Sequence, residues 1–129
     1  PMVQGDWTSD RGYEIGRSRQ LAGATAVFAA NDQMALGAVH GLVERGLRVP
    51  EDISVVGFDD AAFAATSRPP LTTVRQDVSR KGHEATALLR DAIERRVAQR
   101  PEHRLLPTEL VVRASTAPAR KNTRRVSGR

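Results

Sequence analysis

Cysteine is absent from this 129-residue sequence, which excludes disulfide staples and thiolate zinc sites and is compatible with a reducing compartment. Aromatic residues are scarce at 4%, so each ring is weighed singly: Trp7, Tyr13, Phe28, Phe58 and Phe63. No apolar run approaches the roughly 20 residues of a bilayer-spanning helix, and no membrane partner is expected. The histidines His40, His83 and His103 match no metal-ligand spacing. No glycine-rich phosphate loop is present, because Gly5, Gly12, Gly16, Gly23 and Gly37 follow no nucleotide fingerprint.

A strong charge of one sign is also missing from most of the chain. The formal charge of +5 invites a nucleic-acid reading. From Ala117 to Arg129, however, Arg120, Lys121, Arg124, Arg125 and Arg129 stand with no acid among them. Without those five, 15 bases face 15 acids. The body over residues 1–116 is therefore neutral, and the tail over 117–129 reads as a disordered, solvated segment.

What is present is a regular alternation of short apolar runs and longer amphipathic ones, which predicts strands joined by helices in an α/β sheet. Helices are expected over Ser9–Ala22, Gln33–Arg45 and Ser79–Val97. Strands are expected over Thr25–Ala29, Ile53–Phe58, Leu71–Arg75 and Glu109–Arg113, with a short one at Leu105-Leu106. Thr25–Ala29 is apolar on both faces and suits a buried parallel strand. Asp59-Asp60 ends Ile53–Phe58 and is placed to cap a helical turn over Ala61–Ala65. The helix after Asn31-Asp32 has a second face of small residues, Met34, Ala38 and Gly41, which is read as an interface between two copies.

Ligands of parallel sheets bind outside the carboxyl ends of the strands, so residues at those ends are the site candidates. Asn31 presents a donor and an acceptor, suited to neighbouring hydroxyls, and equally suited to a plain helix cap. Asp59 offers a carboxylate for charge-assisted bonds to hydroxyls, while the adjacent Asp60 points the other way along an extended strand and is taken as structural. Trp7, in Gly5-Asp6-Trp7, is either core packing or a flat plate for a ligand ring. Gln76 ends the next strand and reaches the same region or bonds its neighbours. Acid–base catalysis by Asp59 and Asp60 is disfavoured, because a glycosidase needs carboxylates facing one bond across about 5–9 Å. A metal site would want more ligands nearby.

Gly5-Asp6-Trp7, Phe28-Ala29-Ala30-Asn31-Asp32-Gln33-Met34-Ala35-Leu36-Gly37, Val49–Asp60, Pro70–Gln76 and Leu110–Thr116 together resemble the LacI/GalR repressors, in order and spacing. The resemblance covers residues 5–118. It implies a lobe of a periplasmic-binding-protein-like (type I) fold, a three-layer α/β/α arrangement left incomplete because the N-terminal lobe precedes this chain. It implies effector-binding roles for Asp59, Asn31, Trp7 and Gln76, with a sugar as effector, and no enzyme activity and no cofactor. Val78 stands where some members carry an aromatic ring. The parent protein is then expected to be cytoplasmic and homodimeric, and to contact operator DNA through a helix-turn-helix headpiece outside this chain. The helix over residues 79–98 is expected to pack on the missing lobe. The alternative with the same fold is a periplasmic sugar-binding protein of a transporter.

Overall fold

The computed structural model describes residues 2–95 and 103–119. Its elements alternate as expected: α1 (Ser9–Arg17), β1 (Ala26–Phe28), α2 (Asp32–Glu44), β2 (Ser54–Asp59), β3 (Thr72–Gln76), α3 (Val78–Arg95) and β4 (Thr108–Val111). The sheet order is β1-β2-β3-β4, with β1, β2 and β3 parallel and β4 antiparallel to β3. The protein is thus an α/β fold on a mixed, mostly parallel sheet. All three parallel strands end at the same edge.

Sequence periodicity explains the packing. Ala35, Val39 and Leu42 of α2, at helical spacing, meet Val55 of β2, Ile53 before it and Leu71 before β3, and all are buried. The helices α1 and α2 touch backbone to backbone. A Cβ on Gly37 would run into the Ser9 carbonyl oxygen, and one on Gly12 into the Met34 carbonyl oxygen. The small-residue face of α2 is therefore filled by α1 of the same chain. The interface expected there between two copies is not formed by that face, because α1 already occupies it.

Other details also differ. The first helix stops at Arg17, because Ser18 takes an extended backbone and its hydroxyl donates to the Ile15 carbonyl at 2.8 Å. A single 3₁₀ turn over Arg19–Leu21 follows. Leu105-Leu106 is irregular rather than a strand. The strand β1 is parallel as expected but not buried: β2 pairs with one edge, no described strand pairs with the other, and Phe28 is 64% exposed. Phe28 leans edge-on against Phe58, ring centroids 6.4 Å apart. On that same sheet face Leu110 is also exposed, so among the described residues helices cover the α2 side alone. Along α3, Leu89 and Ile93 are exposed. Val97 and the tail beyond residue 119 lie outside the described residues.

The amino-end side of the sheet is knitted by the last described segment. Buried Ser115 donates to the Val55 carbonyl at 2.6 Å and accepts from the Thr72 amide at 2.8 Å. Gly37→Ala is expected to cost about 1–3 kcal/mol, since neither backbone at the helix contact is free to retreat. Gly82→Ala on open α3 meets nothing within 4 Å, and is expected to raise stability by up to about 1 kcal/mol through helix propensity. Urea denaturation of the two variants checks both signs.

Candidate functional site

The carboxyl edge of the sheet collects Asn31, Asp59, Asp60 and Gln76, with the Trp7 loop beside them. Asn31 caps α2, its Oδ1 accepting from the Met34 amide at 2.8 Å, and its Nδ2 donates to the Trp7 carbonyl at 3.0 Å. Both alternatives for Asn31 thus begin from one geometry: a cap that also clamps a loop. Trp7 is 65% exposed, which removes the core reading, and sits in the left-handed backbone region at φ 72. That turn is held from its other side by Asp6, whose Oδ1 accepts from the Thr8 hydroxyl at 2.6 Å and the Thr8 amide at 3.0 Å. Those two bonds keep the Asp6 carboxyl below its ordinary pKa.

Asp32, the residue after the cap, is the contact the sequence reading missed. It is 1% exposed. Its Oδ1 accepts from the Thr73 hydroxyl at 2.6 Å and its Oδ2 from the Ala61 amide at 2.7 Å. Gly57 makes the room, since a Cβ there would collide with Asp32 Oδ1. A glycine inside an otherwise β-branched strand was the available signal of such a close approach.

Asp59 and Asp60 diverge, and both have positive φ, 109 and 55. Asp59 is exposed, and its Oδ1 accepts from Gln76 Nε2 at 2.8 Å. Gln76 Oε1 in turn accepts from Lys81 Nζ at 3.2 Å. Asp60 turns back against the sheet, taking Arg75 Nε at 2.6 Å and Arg113 Nη2 at 2.7 Å, with its side chain 10% exposed. Asp60 does not cap the turn over Ala62–Ala65, as its place in the sequence implied. The left-handed backbone at Asp60 turns its carboxylate to the two guanidiniums, and Asp32 takes the Ala61 amide instead. Burial works against the charged form of Asp60, but the hydrogen bonds and charges of Arg113 and Arg75 outweigh it and hold its pKa below the ordinary 3.8.

The candidates therefore form two bonded pairs, Asn31 with the Trp7 loop and Asp59 with Gln76, while buried Asp32 bonds Thr73 and Ala61 behind them. An apolar groove of about 540 Å³ runs from Trp7 along the open edge of β1, past Phe28, Met34, Ile15, Met2 and Val3. Asp59 and Gln76 are not among the residues lining it. Among the described residues, no group of three or more His, Asp or Glu could hold a metal ion.

Polar groups gathered at the carboxyl edge of a parallel sheet occupy the place where open α/β sheets bind their ligands. The model of the periplasmic binding protein-like domain matches residues 2–116. An HTH-type transcriptional regulator from the aml 5' region of Streptomyces limosus is 50% identical over 106 residues, which cover 82% of this chain and 30% of that protein. A LacI family transcriptional regulator from Enterococcus faecalis V583, solved with bound ribose, superposes with a TM-score of 0.80 at 34% identity, covering 92% of this chain and 44% of the other. The transcriptional regulator CelR in complex with cellobiose gives a TM-score of 0.78 at 41% identity, with coverage of 86% and 34%. The chain belongs to the periplasmic binding protein-like domains, in the form carried by LacI-type transcriptional regulators. It spans about a third of the length of the curated relatives it matches, 30% and 34% in two of them.

Replacing Asp60 by Asn is expected to lower stability at neutral pH by about 1 kcal/mol, as befits a pair that keeps contact with solvent. Because the native pKa of Asp60 lies below its unfolded value, this stabilisation is present above pH 3.8 and is lost as pH falls through the native pKa. Urea midpoints of wild type and Asp60→Asn should therefore converge below pH 3.8 and stay apart above it.

Proposed function

We propose that this chain is the sugar-binding half of the effector domain of a LacI-type transcription regulator. The observation that carries the reading is the Asp59–Gln76 pair at the carboxyl edge. One oxygen of Asp59 is held by Gln76, while Oδ2 has no partner among the described residues, leaving a charged acceptor for ligand hydroxyls. Trp7 supplies an exposed ring for the apolar face of a sugar. Asn31 positions the Trp7 loop and keeps a second N–H for a hydroxyl. The relatives solved with ribose and with cellobiose support a sugar as the effector class.

The rest of the reading concerns the parent protein. Operator DNA is contacted by a headpiece outside this chain, the regulator is a cytoplasmic homodimer, and it has no enzyme activity. Among the described residues no helix is long and apolar enough to cross a membrane. Residues 1–116 act as the effector-binding and dimerisation lobe. The helix α3 carries its exposed Leu89 and Ile93 onto the second lobe. The effector acts by binding two arrangements of the lobes unequally, a coupling typically on the order of 1–3 kcal/mol. Relatives that are HTH-type regulators support this reading over a transporter component.

The test is a thermal-shift and Trp7-fluorescence screen of the full gene product against pentoses, hexoses, disaccharides and nucleosides. One sugar is expected to give a saturable shift, with about 2.7 kcal/mol of stabilisation at a hundredfold excess over its Kd. Asp59→Ala is expected to weaken it at least tenfold, the worth of a hydrogen bond to a charged group. Saturable binding that is indifferent to Asp59→Ala would place the ligand elsewhere and sink the assignment.

A further inference from the structure

Lys81 lies one turn into α3 and belongs to none of the sequence patterns that marked the site. Its ammonium donates to Gln76 Oε1 at 3.2 Å, and the other end of the same carboxamide, Nε2, donates to Asp59 Oδ1 at 2.8 Å. An ammonium has donors only, and a carboxylate has acceptors only. A carboxamide between them has a single satisfied orientation. Turned over, it would set its NH2 against the ammonium and its oxygen against the carboxylate. Without Lys81 that constraint on the oxygen end disappears, and Gln76 is free to rotate away from Asp59.

We infer that Lys81 is a positioning residue of the effector site. It locks the Gln76 carboxamide so that Gln76 holds one oxygen of Asp59 and turns the other outward to the ligand. Lys81 reaches this effect from α3, so the element that leaves the sheet directly after the site also sets the aim of the Asp59 carboxylate. The inference rests on the assignment of Asp59 as the effector's acceptor, but the lock itself exists in the ligand-free chain and is measurable there.

The experiment is NMR of the isotope-labelled chain with Lys81→Ala and Lys81→Arg. In wild type the Gln76 carboxamide protons should be resolved and protected from water. In Lys81→Ala their exchange should accelerate about five- to tenfold, the Asp59 carboxyl carbon should shift, and Lys81→Arg should restore both. Because Lys81 is exposed, its melting temperature should barely move, which separates positioning from loss of fold. Gln76 and Asp59 signals unchanged in Lys81→Ala would overturn the inference. Cellobiose titration of the full gene product separates this from the site assignment. Asp59→Ala without effect would fault the site, whereas Asp59→Ala disruptive and Lys81→Ala silent would fault Lys81 alone. The expected result is an affinity about fivefold weaker in Lys81→Ala and recovered in Lys81→Arg.

Discussion

The arrangement depends on one buried carboxylate. Asp32 starts α2, where negative charge suits the positive end of a helix, and it satisfies two donors from elsewhere in the sheet: the Thr73 hydroxyl on β3 and the Ala61 amide beyond β2. A buried charge survives only when its lone pairs are met, so this contact forces three distant segments into one geometry. The carboxyl ends of β1, β2 and β3 are then not merely adjacent but tied. Gly57 is the sequence's concession to that tie, since any side chain there would displace the carboxylate.

From this anchor the site residues take their places by short local devices. Asn31, next to Asp32, caps the helix and reaches back to the Trp7 carbonyl. Asp60, beside Ala61, is clamped by Arg75 and Arg113. That clamp holds the positive-φ corner from which Asp59 leaves the sheet in the opposite direction. The corner behind Asp59 is thus held from two sides, while Asp59 Oδ2 stays without a partner among the described residues.

Much of this was legible beforehand, and the reasons are specific. Ile53–Phe58 read as a strand because it is short and β-branched, and α2 because Leu36, Val39, Leu42 and Val43 keep helical spacing. The position of Asp59, Gln76 and Asn31 at strand ends followed from the parallel order alone. What failed had non-local causes. The bond of Asp32 to Thr73 spans 41 residues of sequence, and no local pattern announces it. The small face of α2 was read as an interface between two copies, yet α1 of the same chain packs against it. Burial of β1 was inferred from its apolar residues, but burial needs a layer over each face, and among the described residues no helix covers the face of Phe28. Lys81 was passed over because a lysine on an amphipathic helix is ordinarily solvated surface.

The register of the last two strands has a mechanical consequence. Gln76, where β3 ends, is paired directly with Thr108, where β4 begins. The helix α3 leaves the sheet, and the chain re-enters it, at the last rung of this antiparallel ladder. A twist applied to α3 from outside would thus reach the ladder first at this pair, and Gln76 of that pair already holds Asp59. The exit and the re-entry of the chain thus meet at the residue that holds the Asp59 carboxylate.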